Sequence, residues 1–585
     1  MPATDRARAA AAVLGIVLAA LALRTVWLRA DPPTYSTGVV WHDEGAWTHN
    51  ARNQALWGVW VTDNWNPVFI APVFTAMEYT AFEIFGVGTW QARTVPVASG
   101  LIALLALMVG LRALSSGSLT MLIGGALVAV NFTWVTWNRA ALMESTMTMF
   151  MVVAWAAYSR GSNRPAWGLL AGAAAALAWF TKAAAAFFVA GLVLDAAWTL
   201  ALARLPGLRA RWQCDAPSSL DVRTAWLVLT GLASVTLAVV ALFVWPHWSE
   251  YWFYNFQMTV LRKPTYDVRS LADRASWLPV VHDIFTRMWL VLLAGSLALA
   301  AIIARWRTAR PGERLLVLWI VLGLVELVVH DAGNERRYVM FIPAWTALAA
   351  LLAGGSRSIL PASLAEAGTG ARLIGAGITV ALLYLVAGSL LRAFFHEQVA
   401  AGVGNFWPVV RGAAGAAAAG GLLLFMAWPA VTGWLSRVRI SPRAAIVLTL
   451  LVAGFELSQF ARWAADRTAL NYEASVRLGQ ELPPETLVHG KLANGMALEN
   501  RIRPIFVGHE FGNYADRLTR DDVRYILTYS LPKEGRESYD GLIREILNHY
   551  PGRQIVETFD VQETPALDQA VLIDKRPSGS PRAPD

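Results

Sequence analysis

Long apolar runs separated by short polar connections dominate the chain, and most runs lack the polar stripe that a water-facing helix keeps. The first, from about Ala9 to Leu28, follows Arg6 and Arg8. Others fall at 91–111, 119–137, 141–159, 166–181, 183–203, 225–245, 284–304, 315–330, 338–354, 372–392, 409–430 and 444–461. Together they predict about thirteen membrane-spanning helices. Residues 31–90 stay on one side, because their apolar pieces are short or interrupted. There 44–58 and 66–85 predict helices lying at the interface, with a span as the alternative for the second.

After residue 464 the pattern changes. Turn signals such as Pro483-Pro484 and Tyr550-Pro551-Gly552 separate β-rich runs at Thr486–His489, Ile505–Val507, Val523–Thr528, Gln554–Phe559 and Ala570–Ile573, with a helical stretch at 537–548. The expected fold class is an α-helical polytopic membrane protein, 1–464, carrying a small C-terminal α/β domain over 465–576. The Ser-, Pro- and Gly-rich tail 577–585 is predicted to be disordered. The Ala/Gly-rich tracts at 171–178 and 412–421 predict close helix packing.

Composition agrees: of 585 residues 56% are hydrophobic and only 15% charged, against about 25% charged in an ordinary soluble domain. The net charge of +8 is not a nucleic-acid footprint, since the Arg residues cluster in short loops as topology signals do. Arg112, Arg160, Arg164, the 204–211 and 305–314 loops and the Arg437–Arg443 loop alternate with the spans. That alternation puts the N-terminus in the cytoplasm of a plasma-membrane protein and, with an odd number of spans, the C-terminal domain outside. Ala20-Leu21-Ala22 resembles a signal-peptide cleavage site, but the run is long enough to be retained as the first span. The single cysteine, Cys214, excludes an intrachain disulfide.

Five polar segments fall on the predicted outer face. His42-Asp43-Glu44-Gly45 follows the first span, and neighbouring carboxylates on a helix point different ways, so one could act as a general base while the other orients or caps. The plain alternative is Asp43 as a helix N-cap. Glu144 follows Asn138-Arg139 at the end of a hairpin; a carboxylate at mid-membrane costs about 2.5–3.5 kcal/mol, so it is a functional candidate unless it merely pairs with Arg139. Lys182 stands between two apolar runs, where it snorkels or meets a phosphate. The loop 246–283 interleaves aromatics with Asn255, Arg262 and Lys263. Arg336 and Arg337, before Tyr338, oppose the positive-inside trend, and a guanidinium suits phosphate oxygens. A divalent metal would find ligands in His42, Asp43 and Glu44, though the spacing demands none and no cofactor is required.

Taken together these segments resemble the polytopic glycosyltransferase C superfamily, in its protein O-mannosyltransferase and aminoarabinose transferase-like branch. Asp43-Glu44-Gly45 is similar to the acidic first-loop motif. Asn66-Pro67-Val68-Phe69, Ile84-Phe85-Gly86-Val87 and Ala92-Arg93-Thr94-Val95-Pro96 are similar to the family's Pro-Pro-Leu, Leu-Phe-Gly and Ala-Arg-Leu-Pro run. Arg139 through Glu144 resembles its Arg-x-x-x-Leu-Asp element, Thr181-Lys182 its Thr-Lys-Gly-Pro, and Arg337-Tyr338 with Pro343 its Arg-Tyr-x-x-x-x-Pro. The second acid is Glu rather than Asp, Lys182 precedes Ala-Ala, and Asn66 replaces a proline, which suggests a divergent branch. The resemblance implies inverting transfer of a sugar from a polyprenyl-phosphate donor to a hydroxyl of a lipid, glycan or protein acceptor. Asp43 is then the expected base, and Glu44 or Glu144 holds acceptor or sugar. Lys182, Arg262, Arg336, Arg337 and Tyr338 hold the phosphate, and His42, Asn255 and Arg139 are further candidates for the substrate. The rivals are a transporter or flippase of a lipid-linked sugar, to which Glu326 and Glu456 inside spans would point, and a non-catalytic scaffold.

Overall fold

The computed structural model describes residues 3–33, 39–115, 117–261, 283–330, 336–355, 359–394, 407–508, 512–529, 537–563 and 566–576. Residues 262–282, which include Arg262 and Lys263, and the tail 577–585 lie outside the described residues. Among those described, seven helices are long and apolar enough to cross a membrane, and Ser118–Val130, Trp167–Thr181 and Trp289–Ala304 are shorter apolar helices. The other runs read as spans coincide with Met143–Gly161, Pro311–His330 and Ile342–Ala353, which carry more polar residues or fewer turns. The stretch 31–90 holds two helices of eight residues or more, Asp43–Trp57 and Pro72–Phe85, before Thr89–Leu114 begins. Asp43–Trp57 is covered by protein along its polar positions: its Asp43, Glu44, Thr48, His49, Asn50, Arg52 and Asn53 are all buried. A helix this polar can be buried only where most of its groups find partners, and protein rather than lipid supplies them.

Small residues let the spans approach closely. A Cβ on Gly172 would collide with the Val228 carbonyl, and one on Gly231 with the Leu169 carbonyl, so Trp167–Thr181 and Ser219–Val239 touch backbone to backbone. Trp134, Trp137, Trp155 and Trp319 fill the core they enclose. Two intramembrane polar groups have structural work. Arg24 donates to the Ala129 and Val128 carbonyls and to Asn138, satisfying the open end of Ser118–Val130. Glu456 accepts from the Phe132 amide (2.8 Å) and Asn131 Nδ2 (3.1 Å), at the start of the short helix Phe132–Trp137.

Residues 470–576 form a five-stranded sheet with helices on both faces. The strands β1 (Leu487–His489), β2 (Arg503–Ile505), β3 (Tyr525–Tyr529), β4 (Gln554–Glu563) and β5 (Ala566–Asp574) lie in the order β2-β1-β3-β5-β4. β1 is parallel to both its neighbours, while β3–β5 and the β4–β5 hairpin are antiparallel. Alternation sorts the side chains: Val488, Leu527 and Leu572 pack with Leu478 and Leu492 on one face, while Ile526, Val571 and Ile573 pack with Leu542 and Ile546 of Glu537–Asn548 on the other.

The buried polar helix Asp43–Trp57 finds part of its partners in this domain. Arg52 donates to the carbonyls of Ala497, Asn500 and Ile502 at 2.9–3.0 Å. His49 meets Asn494 through Nδ1 (3.1 Å) and Asp63 through Nε2 (3.0 Å), and Asp63 also accepts from the Phe506 amide and Asn513. Asp31, just past the first span, accepts from Thr468 and from the amides of Leu470 and Asn471, capping Leu470–Glu481. Contact with the short helix Lys491–Gly495 is close enough that a Cβ on Gly45 would collide with the Asn494 carbonyl. Gly45→Val should therefore loosen this docking by about 1–3 kcal/mol, the usual range for overpacking. Limited proteolysis should cut residues 470–576 away faster in the variant than in wild type.

Candidate active site

Asp43 opens its helix, with His42 before it as the N-cap residue rather than Asp43 itself. Its carboxylate is buried and lies among cations from opposite ends of the chain. Arg336 Nη2 is 2.7 Å from Oδ2, Lys491 Nζ 3.2 Å from Oδ1, and His42 Nε2 3.6 Å from Oδ1. Tyr529, at the end of β3, reaches His42 Nδ1 at 3.2 Å. Burial alone would raise the Asp43 carboxyl; Lys491, Arg336 and His42 outweigh it and hold the group well below the usual carboxylate range.

A second carboxylate joins the same network. Glu144 lies in the first turn of Met143–Gly161 and receives Lys182 Nζ at 2.6 Å, with Arg336 Nε 3.7 Å away. Its Oε2 is buried and takes no hydrogen bond among the described residues. Lys182 ends the helix Trp167–Thr181 in an extended conformation, which turns its side chain from the bundle towards Glu144. Burial pushes its ammonium down to about 8, with Glu144 opposing the shift and Arg337 and Arg336 adding to it. Arg337 itself lies 3.9 Å from Glu326. One guanidinium, Arg336, thus bridges the two acids, while a lysine stands on the far side of each.

The remaining sequence candidates go elsewhere. Glu44 points away from its neighbour into a buried clasp with Arg93, at 3.0 and 3.2 Å from Nε and 2.7 Å from Nη2, and accepts the Ala141 amide at 2.8 Å. Both its oxygens are engaged there, which offsets the cost of burying the charge. Arg139 does not pair with Glu144: it caps the first helix by donating to Leu23, Val26 and Trp27 carbonyls, with its guanidinium over Trp463. Asn255 donates to the Phe69 and Tyr251 carbonyls, and buried Tyr338 packs edge-on against Phe285. The conditional metal set of His42, Asp43 and Glu44 is not assembled. Glu44 is turned to Arg93, Asp43 faces cations, and no group of three His, Cys, Asp or Glu converges among the described residues.

Sequence reasoning missed Lys491. The available signal was scarcity: only five of the 49 Lys and Arg residues are lysines, at 182, 263, 491, 533 and 575. Two of the five stand in this network.

Residues 71–255 match the family model described as dolichyl-phosphate-mannose-protein mannosyltransferase. No curated protein matches the chain by sequence. Among solved structures, ArnT from Cupriavidus metallidurans in the apo state is 17% identical, with 98% of this chain and 99% of that one covered at a TM-score of 0.49. The oligosaccharyltransferase AglB from Archaeoglobus fulgidus, in complex with an inhibitory peptide and a dolichol-phosphate, is 11% identical, with 94% and 73% covered at 0.47. The S. cerevisiae protein O-mannosyltransferase Pmt1–Pmt2 complex bound to the sugar donor is 16% identical, with 42% and 34% covered at 0.31. Over residues 71–255 the resemblance drawn from the motifs has a counterpart in this similarity to a protein mannosyltransferase family model. That segment lies in an integral membrane protein and contains Glu144 and Lys182, but not Asp43, Arg336 or Lys491.

Proposed function

We propose that this chain is an inverting glycosyltransferase that moves a sugar from a polyprenyl-phosphate donor to a hydroxyl acceptor at the outer membrane face. The observation that carries the reading is the network of two buried carboxylates and three cations drawn from five distant segments. Its formal charge is one positive, which a phosphodiester carrying one negative charge neutralises. Residues 1–464 form the transferase domain, with the N-terminus cytoplasmic, and 465–576 lie outside over the site.

In the reaction Asp43 takes the proton of the acceptor hydroxyl, and that oxygen forms a bond to the anomeric carbon from the face opposite the phosphate. The bond from that carbon to the phosphate oxygen breaks, and its electron pair leaves with the polyprenyl phosphate. Lys182, Arg336 and Arg337 stabilise the charge growing there, which is the largest contribution expected of such a site. No separate acid is needed, because phosphate leaves without protonation. Glu144 offers its open Oε2 to a sugar or acceptor hydroxyl. Glu456, which sequence alone left as a mark of transport, has a structural partner in the Phe132 amide.

The reading is tested by supplying the purified protein with radiolabelled polyprenyl-phosphate sugars and candidate acceptors. Label should reach an acceptor with wild type and not with Asp43→Asn; transfer undiminished by the substitution would remove Asp43 as base. Donor binding should also depend on pH. The donor phosphodiester does not titrate near neutrality, whereas Lys182 is charged below about pH 8 and neutral above it. Donor affinity is therefore full below that pH and falls as pH rises through it. Lys182→Arg, whose guanidinium stays charged, should flatten the profile in a titration of binding against pH.

A further inference from the structure

We infer that Lys491 of the C-terminal domain is a ligand of the donor phosphate, and that Lys491 and Arg336 exchange Asp43 for that phosphate when the donor binds. The inference rests on the function proposed above. Its ground is geometric. Lys491 begins the helix Lys491–Gly495, which is seated on Asp43–Trp57 by the close approach of Gly45 to Asn494 and of Gly495 to His42. That seating leaves Lys491 Nζ 3.2 Å from Asp43, on the carboxylate oxygen opposite the one that Arg336 approaches at 2.7 Å. The Lys491 side chain keeps a quarter of its surface exposed, more than Asp43, Glu144, Lys182 or Arg336, so of these five groups it is the one most open to solvent.

A carboxylate gripped from both sides is a poor base, because its lone pairs are committed and its charge is offset. The same two cations suit phosphate oxygens, Arg336 as a planar fork and Lys491 as a compact point charge. Arrival of a phosphate gives them a second anion to share, and Asp43 then recovers the basicity it needs. The C-terminal domain thereby supplies part of the donor site, and the base is restrained until the donor is present. Asp43 and the phosphate are competitors for one pair of cations, so removing the carboxylate charge must improve donor binding even as it destroys catalysis.

The test measures binding of a long-chain polyprenyl phosphate to the full-length protein in nanodiscs, with the matching polyprenol, which lacks the phosphate, as reference. The loss or gain of one charge-assisted contact corresponds to about tenfold in affinity. Asp43→Asn is expected to tighten phosphate binding by about tenfold, and Lys491→Ala to weaken it by about tenfold, with Lys491→Arg close to wild type. A gain of affinity in Asp43→Asn is not something a misfolded variant produces, so that arm stands even where Lys491→Ala unseats its helix. Wild-type protein that prefers phosphate to polyprenol, with Asp43→Asn no tighter, overturns the exchange and leaves the transferase reading in place. Wild-type protein that binds phosphate and polyprenol alike overturns the transferase reading and the exchange together.

Discussion

Asp43→Asn is expected to lower kcat for sugar transfer by about 10³-fold, within the range for loss of a positioned general base, while KM for the donor falls. The two effects have one origin. The amide keeps the shape of the side chain but cannot take a proton, and it no longer competes for Arg336 and Lys491. A purely structural Asp43 gives a different signature, in which thermal stability and donor affinity drop together. Steady-state kinetics with the donor varied, beside a melting curve for each protein, separate the two.

Arg93→Ala is expected to destabilise the protein by about 3–5 kcal/mol, the usual cost of stripping one partner from a buried ion pair. Arg93 does more than pair with Glu44: its Nη1 also donates to the Leu28 and Ala30 carbonyls at 2.8 and 2.7 Å. The residue therefore ties the end of the first helix, the start of Asp43–Trp57 and the helix Thr89–Leu114 into one corner. Thermal unfolding in detergent should show the loss, and adding Glu44→Gln to Arg93→Ala should restore part of it, since the stranded charge is then gone. If the double variant is no more stable than the single one, the energy lies in the carbonyl contacts and not in the ion pair.

Much of the helical framework was legible because lipid imposes a strong rule: runs such as 372–392 and 444–461 have few charges and can do little but form helices. The C-terminal sheet was legible at low resolution, since short β-rich runs between turns announce strands but not their order. The site was legible where a polar residue stood against its surroundings. Asp43, Glu144, Lys182 and Arg336 were conspicuous on a predicted membrane face, and they do meet. Glu44 and Arg139 were equally conspicuous, yet Arg93 takes the first and three backbone carbonyls take the second. Partner choice of that kind depends on three-dimensional crossings that no spacing along the chain encodes. Lys491 was invisible for the opposite reason: in a stretch of mixed charge a lysine is ordinary, and only the docking of Lys491–Gly495 onto Asp43–Trp57 brings it to Asp43.

That docking also sets an order of events during synthesis. The helix Asp43–Trp57 leaves the ribosome 445–450 residues before the carbonyls that accept from Arg52 and the amide that meets His49, which belong to residues 494–502. Until those residues are made, its polar face lacks these partners, and the pair of cations facing Asp43 lacks one member. A chain that stops before Lys491 therefore lacks one of the two cations that grip Asp43, and its helix Asp43–Trp57 keeps polar groups whose partners are not yet there.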